Sequence, residues 1–223
     1  MKYELSVIYL TYNGASILHK TLSLLLLGVN NAPINGQIVV VDNGSTDNTQ
    51  ILLELYREHK NVKVVTLPEN LGFSGGNLKG FEAAEGDLVA FVSNDAYFSA
   101  YYPWEHFKDY NGNILWGGDI VDWDGYWNKV NGEVYPYCGG WFVCANRDVW
   151  SKIMWDENFY PYDCEDVDLS IQAAKNGIKL LKAPVGAKHA SGYTIGRDRS
   201  RIDQTNKMKK YLDTKWSEQW NKP

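Results

Sequence analysis

No stretch of the chain reaches the roughly 18 consecutive apolar residues that a membrane-spanning helix needs. The longest candidate, LSLLLLGV at 22–29, is too short and follows His19 and Lys20, so no transmembrane segment is expected. The opening, MKYELSVIYLTYNG, lacks an apolar signal-peptide core and a small-residue cleavage site; a cytoplasmic location is the default expectation. Cysteine is scarce. Cys138, Cys144 and Cys164 are irregularly spaced, with no CxxC pair, which excludes a disulfide framework and favours buried free thiols. A zinc site built from them and His189 would need untypical ligand spacing. Positive charge is also in deficit, with 22 Lys and Arg against 27 Asp and Glu and a net charge of −5. That balance argues against a generic electrostatic nucleic-acid binder, so any polyanion must be met locally.

The chain does have enough apolar residues for a core: 44% of its 223 residues are hydrophobic and 22% charged, a globular composition that fits one domain. Aromatics are plentiful at 14%, including nine Trp, most of them between Trp104 and Trp155. Most should be core; a few exposed ones would offer platforms for the apolar face of a sugar.

Strand-like and helical patterns alternate through the first hundred residues. LSVIYL at 5–10 precedes a helical stretch at 15–27, QIVVVD at 37–42 precedes a helix over about 47–59, and VKVVTL at 62–67 precedes a Gly-rich loop at 69–77. That loop runs into a helix through about Ala84, followed by a strand over 87–92. Near-continuous apolar strands suit a sheet covered on both faces, hence a doubly wound, mostly parallel α/β architecture. Beyond Asp95, short strands are expected within 114–121 and 134–145, and helices over 147–153 and 165–176, the latter closed by Gly177. Ligands of such sheets bind beyond the carboxyl ends of the strands, so the loops after Leu10, Val41, Leu67 and Val92 should converge.

Those loops are polar: TYN at 11–13, DNGSTDNT at 42–49, ENLGFSGGN at 69–77 and SNDA at 93–96. Ser45-Thr46-Asp47 reads as an N-cap and Gly44 as a turn. Asp42 follows three valines, where a strand end aims a carboxylate into the crevice. Asp95 reads either as a turn acid or as a metal contact. The glycines of GFSGGN at 72–77 allow close backbone approach at a helix start, where unpaired N–H groups suit phosphate. In DCEDVD at 163–168, Asp163 can cap a helix and Glu165 and Asp166 suit its positive end, without any catalysis. The tail from 197 to 220 is basic at its start and then helical in pattern. It is either a solvated amphipathic helix packed on the domain or a source of Arg197, Arg199, Arg201 and Lys207 as a cover over a bound anion.

In order, LSVIYLTYN, VVVDNGSTDNT, ENLGFSGGN, FVSNDA, GGWFVCANRDVW, FYPYDCEDVDL and AKHASG resemble the inverting family 2 glycosyltransferases of the GT-A fold, over roughly 4–192. GFSGGN and the Asn-Asp pair look most like the rhamnosyltransferase-like branch. The resemblance implies a single GT-A domain over 1–196, with a nucleotide-sugar half at 1–98 and an acceptor and catalytic half at 99–196, then a basic helical tail over 197–223. It places Thr11, Tyr12, Asn13 and Asp42 around the donor nucleoside, and Gly75, Gly76, Asn77 and Asn94 near its ribose and diphosphate. Asp95 matches the last acid of the family's Asp-x-Asp motif and His189 a late histidine that joins it on the metal. The first acid of that motif is Ser93 here.

Glu165-Asp166 matches the catalytic pair, with Asp166 as the general base. Gly139, Gly140, Trp141 and Tyr162 would border the acceptor, while Asp156, Glu157 and Asp168 read as structural. The implied function is metal-dependent transfer, with Mn²⁺ or Mg²⁺, of a sugar from a UDP- or dTDP-linked donor to a glycan, glycoprotein or lipid-linked acceptor, as in polysaccharide biosynthesis. Peripheral membrane association through the basic tail is compatible with this. Two competing readings are a nucleotide-sugar-binding protein that has lost transfer, motivated by Ser93, and a sugar nucleotidyltransferase, against which TYNGAS at 11–16 lacks basic residues.

Overall fold

The computed structural model describes residues 3–108, 112–190 and 199–220. Three βα units and a fourth strand come first: β1 (Leu5–Thr11), α1 (Ala15–Asn31), β2 (Gly36–Asp42), α2 (Thr49–Arg57), β3 (Val62–Thr66), α3 (Gly72–Ala83) and β4 (Leu88–Ser93). Shorter pieces follow: β5 (Ala96–Phe98), β6 (Ile114–Gly117), β7 (Ile120–Val121), β8 (Lys129–Val130), β9 (Glu133–Val134), β10 (Tyr137–Cys138), β11 (Phe142–Asn146) and α4 (Arg147–Trp150). Then come α5 (Glu165–Lys175), β12 (Lys179–Lys182), β13 (Ala187–His189) and α6 (Arg199–Trp220).

The main sheet has the order β12-β6-β11-β4-β1-β2-β3. All strand pairings in it are parallel except those of β11, which runs against both β4 and β6. Every residue of β1 and β2 is buried, because helices cover both faces. On one face Leu18, Leu22 and Leu25 of α1 pack with Val7, Tyr9, Val40, Phe98 and Trp104. On the other, Ile8, Val39 and Val41 pack with Trp150 and with Leu169 and Ala173 of α5. The expected α/β sandwich is therefore present, and the three cysteines are buried free thiols. Burial pushes the thiols of Cys138 and Cys144 well up from their ordinary values.

Sequence pattern and structure part at three places. The Gly-rich motif expected as a loop is itself helical from Gly72 onward. A Cβ on Gly80 would lie 2.3 Å from Ile8 Cγ2, and one on Gly76 2.5 Å from Leu10 Cδ1. These glycines bring α3 close to the sheet, which offsets their poor helix propensity. The single strand expected over 114–121 is split, β6 joining the main sheet and β7 pairing with β10, because the chain turns at Gly117-Gly118 under the Trp141 ring. The strand expected over 134–145 is likewise broken into β9, β10 and β11, three strands in three different sheets.

Strand order reverses between β1 and β4, since β2 and β3 extend to one side and β4 begins the other. A crevice at the carboxyl ends of strands forms at such a switch point. Asn94 Nδ2 spans it, donating to Thr11 Oγ1 at 3.2 Å. The N-terminal amides of α1 find acceptors in the next loop: Gly14 N donates to Thr49 Oγ1 at 2.9 Å and Ala15 N to Asp47 Oδ2 at 3.1 Å. These bonds fix the loops that follow β1 and β2 against each other.

Candidate active site

A cleft of about 570 Å³ opens at that switch point. Its wall includes Tyr12 after β1, Asn43 after β2, Asn70 and Gly72 at the start of α3, and Ser93, Asn94 and Asp95 after β4. The second half of the chain adds Gly139, Gly140, Trp141, Tyr162, Glu165, Asp166, His189 and Arg201. Ten of the residues singled out from sequence as donor, metal, catalytic or acceptor contacts thus meet in one place, from loops up to 177 residues apart (189 − 12).

Asp95 ends the apolar run of β4 and is only 6% exposed. Ser93 Oγ donates to Asp95 Oδ1 at 2.6 Å, and His189 Nε2 lies 3.2 Å from the same oxygen. Burial pushes the Asp95 carboxyl upward, but the contacts with His189 and Ser93 outweigh it and hold the group below its usual value. His189 reaches Asp95 because β13 pairs with β5, with His189 opposite Ala96, and Ala190 N donates to Asp95 O at 3.0 Å. The imidazole stacks on Trp141, with ring centroids 5.3 Å apart and planes 4° off parallel. Trp141 Nε1 in turn donates to Asp119 Oδ1 at 3.0 Å. Trp141 comes to this end of the sheet because β11 lies antiparallel to β4 and Ser93 N donates to Trp141 O at 2.9 Å.

Among the described residues no group of three or more His, Cys, Asp and Glu is placed to hold a metal ion. The pair of Asp95 and His189 nevertheless fits one chemically. A carboxylate oxygen and an imidazole nitrogen side by side in a cleft suit an ion whose remaining positions go to substrate phosphates and water.

Asp166 lies in the first turn of α5, which is entered through two non-glycine residues in left-handed conformation, Asp163 (φ 84°) and Cys164 (φ 67°). Such conformations persist only where the surroundings enforce them. Asp166 Oδ1 accepts from Val167 N at 2.8 Å and Oδ2 from Gly140 N at 3.3 Å. Burial outweighs those hydrogen bonds and raises its pKa to about 6. The sequence left open whether the helix terminus or burial would dominate; burial does. Glu165 is 8% exposed and its Oε2 has no partner. Burial first, and then the neighbouring Asp166 charge, push its carboxyl well above its ordinary value. Burial thus raises both of these adjacent carboxyls above their ordinary values.

Other sequence candidates sit elsewhere. Asn13 turns away from the cleft: its Oδ1 accepts from Thr46 N at 2.8 Å and Asp47 N at 3.3 Å, a loop-fixing role. Gly75, Gly76 and Asn77 do not line the cleft; Gly72 and Phe73 do. Thr11 and Asp42 lie buried just behind the wall. Asp42 Oδ1 accepts from Ser45 N at 3.0 Å, while Asp42 Oδ2 and both amide atoms of Asn77 are buried without a partner. Arg197 lies outside the described residues, as does the side chain of Arg199, and Lys207 is exposed on α6. Arg201 reaches the cleft, 4.0 Å from Asp163.

Sequence reasoning missed Asn43, Asn70 and Asp119. Asn43 Nδ2 donates to Asn70 Oδ1 at 3.0 Å and to Gly72 O at 2.9 Å. Asn43 follows the strand-end Asp42 directly, which was a usable signal; Asp119 gave none, since only the long-range pairing of β11 brings Trp141 to it.

A mostly parallel sheet with one reversed strand, a cleft at its switch point and a carboxylate after β4 define a GT-A fold. Residues 6–104, a little under half of the chain, match the family Glycosyl transferase family 2. An uncharacterised glycosyltransferase of Mycoplasma pneumoniae, the MG025 homolog, is 34% identical over 102 residues, 44% of this chain and 33% of the relative. The poly(ribitol-phosphate) β-N-acetylglucosaminyltransferase TarS of Staphylococcus aureus is 36% identical over 98 residues, 43% of this chain and 17% of TarS. This chain therefore matches about a third or less of the length of these relatives. The crystal structure of TarS 1–349 with UDP superposes with a TM-score of 0.58 at 23% identity, covering 82% of this chain and 57% of that one. A mannosyltransferase of Pyrobaculum calidifontis with GDP-Man and Mn²⁺ gives 0.62 at 16% identity, covering 83% and 56%.

Proposed function

We propose that this chain is a metal-dependent inverting glycosyltransferase that moves a sugar from a UDP- or dTDP-linked donor to a hydroxyl of a glycan, glycoprotein or lipid-linked acceptor. The observation that carries this reading is one cleft walled both by the Asp95–His189 pair and by Asp166, an ionisable carboxylate poised near neutrality. The family match over residues 6–104 supports the reaction class, and the UDP of TarS and the GDP-Man and Mn²⁺ of the mannosyltransferase support the donor class.

In this reading the partnerless Asp42 Oδ2 accepts from the nucleoside base or a ribose hydroxyl, beside Thr11 and Tyr12. Asn94, which lines the cleft, serves the ribose and diphosphate. Asp95 and His189 would hold the divalent ion, and the imidazole favours Mn²⁺ over Mg²⁺. When bound, that ion neutralises the charge growing on the departing diphosphate. Asp166 removes the acceptor hydroxyl proton as that oxygen attacks the anomeric carbon from the side opposite the leaving group, so the configuration inverts without a covalent sugar intermediate. Glu165, whose carboxyl burial pushes well above its ordinary value, borders the cleft beside Asp166 and is not assigned as the base.

A second reading, donor binding without transfer, is favoured by one observation: Ser93 stands where the family motif has its first acid and spends its hydroxyl on Asp95. Incubation with UDP-, dTDP- and GDP-sugars, with and without Mn²⁺, separates the two. Glycosyl transfer predicts a donor that raises the melting temperature only with Mn²⁺ and releases nucleoside diphosphate. Binding without release under any condition would leave the second reading, and release of pyrophosphate would mark a nucleotidyltransferase.

A further inference from the structure

We propose that a groove adjoining the cleft is the acceptor subsite, and that it takes a pyranose ring stacked on Trp127. The inference rests on Asp166 being the base as proposed above. The groove, about 510 Å³, is lined by Trp127, Ile202 and Thr205 and shares Tyr137, Asp163, Asp166 and Arg201 with the cleft. Asp166 therefore borders both cavities, which is where a base must stand if the nucleophile enters from one side and the diphosphate leaves on the other.

The lining suits a sugar ring. Trp127 and Ile202 present apolar surface for the C–H face of a pyranose, while Asp163, Arg201 and Thr205 present hydrogen-bonding groups for its hydroxyl rim. Trp127 belongs to a cluster of exposed aromatics, with Trp123 at 65%, Tyr126 at 61% and Trp127 at 39% exposure. Large exposed aromatics grouped beside a cavity mark a binding surface. The loop that carries them is rigidly held by the buried Asn128, whose Oδ1 accepts from Gly125 N and whose Nδ2 donates to Trp123 O and Tyr135 O, each at 3.0 Å. Tyr126 further fixes the Trp127 ring edge to face, centroids 4.6 Å apart.

The second wall comes from α6, fastened by Thr205 Oγ1 donating to Asp163 Oδ2 at 2.6 Å and Gln204 Nε2 donating to Tyr160 O at 2.9 Å. The tail helix thus walls the proposed acceptor subsite and also reaches the cleft through Arg201.

The test uses the full chain, the donor that releases nucleoside diphosphate in the assay above, and a panel of methyl pyranosides, cellobiose, lactose and chitobiose, with ribitol phosphate as an acyclic comparison. At least one pyranoside should accelerate release. Trp127→Ala should raise the concentration needed for half-maximal acceleration about tenfold, the scale of one lost aromatic stacking contact, and Trp127→Phe should recover part of it. That increase should exceed fivefold any change in acceptor-free release, which controls for folding. No acceleration by any pyranoside, acceleration by ribitol phosphate alone, or equal acceptor dependence in Trp127→Ala and the parent chain would overturn the proposal. If the parent chain releases nucleoside diphosphate in those cases, transfer stands and only the acceptor assignment falls.

Discussion

The functional weight falls on a few side chains whose meaning depends on their neighbours. Asp166 was legible as a candidate from the Glu165-Asp166 pair at a helix start, but its proton affinity was not. A helix N-terminus lowers a carboxyl pKa and burial raises it, and only the packed structure shows burial prevailing, at about 6. The consequence is a pH profile: as the base, Asp166 must be ionised, so transfer should fall as pH drops through about 6 and level off above it, read from initial rates between pH 5 and 8. Activity undiminished at pH 5 would oppose the assignment. Ser93 and His189 show the opposite balance. The sequence displayed both residues, but not that a serine hydroxyl and an imidazole converge on one oxygen of Asp95.

At the scale of elements, local pattern revealed the βα alternation of the first half, because fully buried parallel strands carry an apolar signature in every residue. It failed where glycine had two readings. GFSGGN reads as a place of close backbone approach at a helix start; Gly72 does line the cleft, while Gly76, and Gly80 just beyond the motif, serve close packing of α3 on β1. Gly80→Ala should therefore destabilise the fold by about 1–3 kcal/mol in urea unfolding, despite alanine's better helix propensity, because Ile8 and Val41 are buried and cannot move aside. The tail reads as helical, with packing on the domain as one of two alternatives, but its anchor was hidden. Met208, Leu212 and Trp216 join Phe159, Val167 and Ile171 in one cluster, and Lys215 Nζ sits 2.7 Å from Asp156 and 2.9 Å from Asp168. Lys215→Met should cost about 3 kcal/mol, since it leaves two partly buried carboxylates without their cation. A change within 0.5 kcal/mol would show that α6 is held by apolar contacts alone.

On the scale of the whole molecule, the donor half was the more legible because its ligand contacts follow consecutive strands and lie close in sequence. The acceptor half is assembled from long-range pairings, β11 with β4 and β13 with β5, together with α6 packed on α5, and no local pattern announces them. No helix among the described residues is long and apolar enough to cross a membrane. What unites the two halves is Asp166, which borders both cavities and is proposed as the base. The measurement that bears on this most directly compares nucleoside diphosphate release by the parent chain and by Asp166→Asn, with donor, Mn²⁺ and acceptor present. The substitution should slow release by about 10²–10⁴-fold, the usual worth of a general base, while the donor-induced rise in melting temperature persists. Turnover by Asp166→Asn at the parent rate would contradict the assignment of Asp166 as the base.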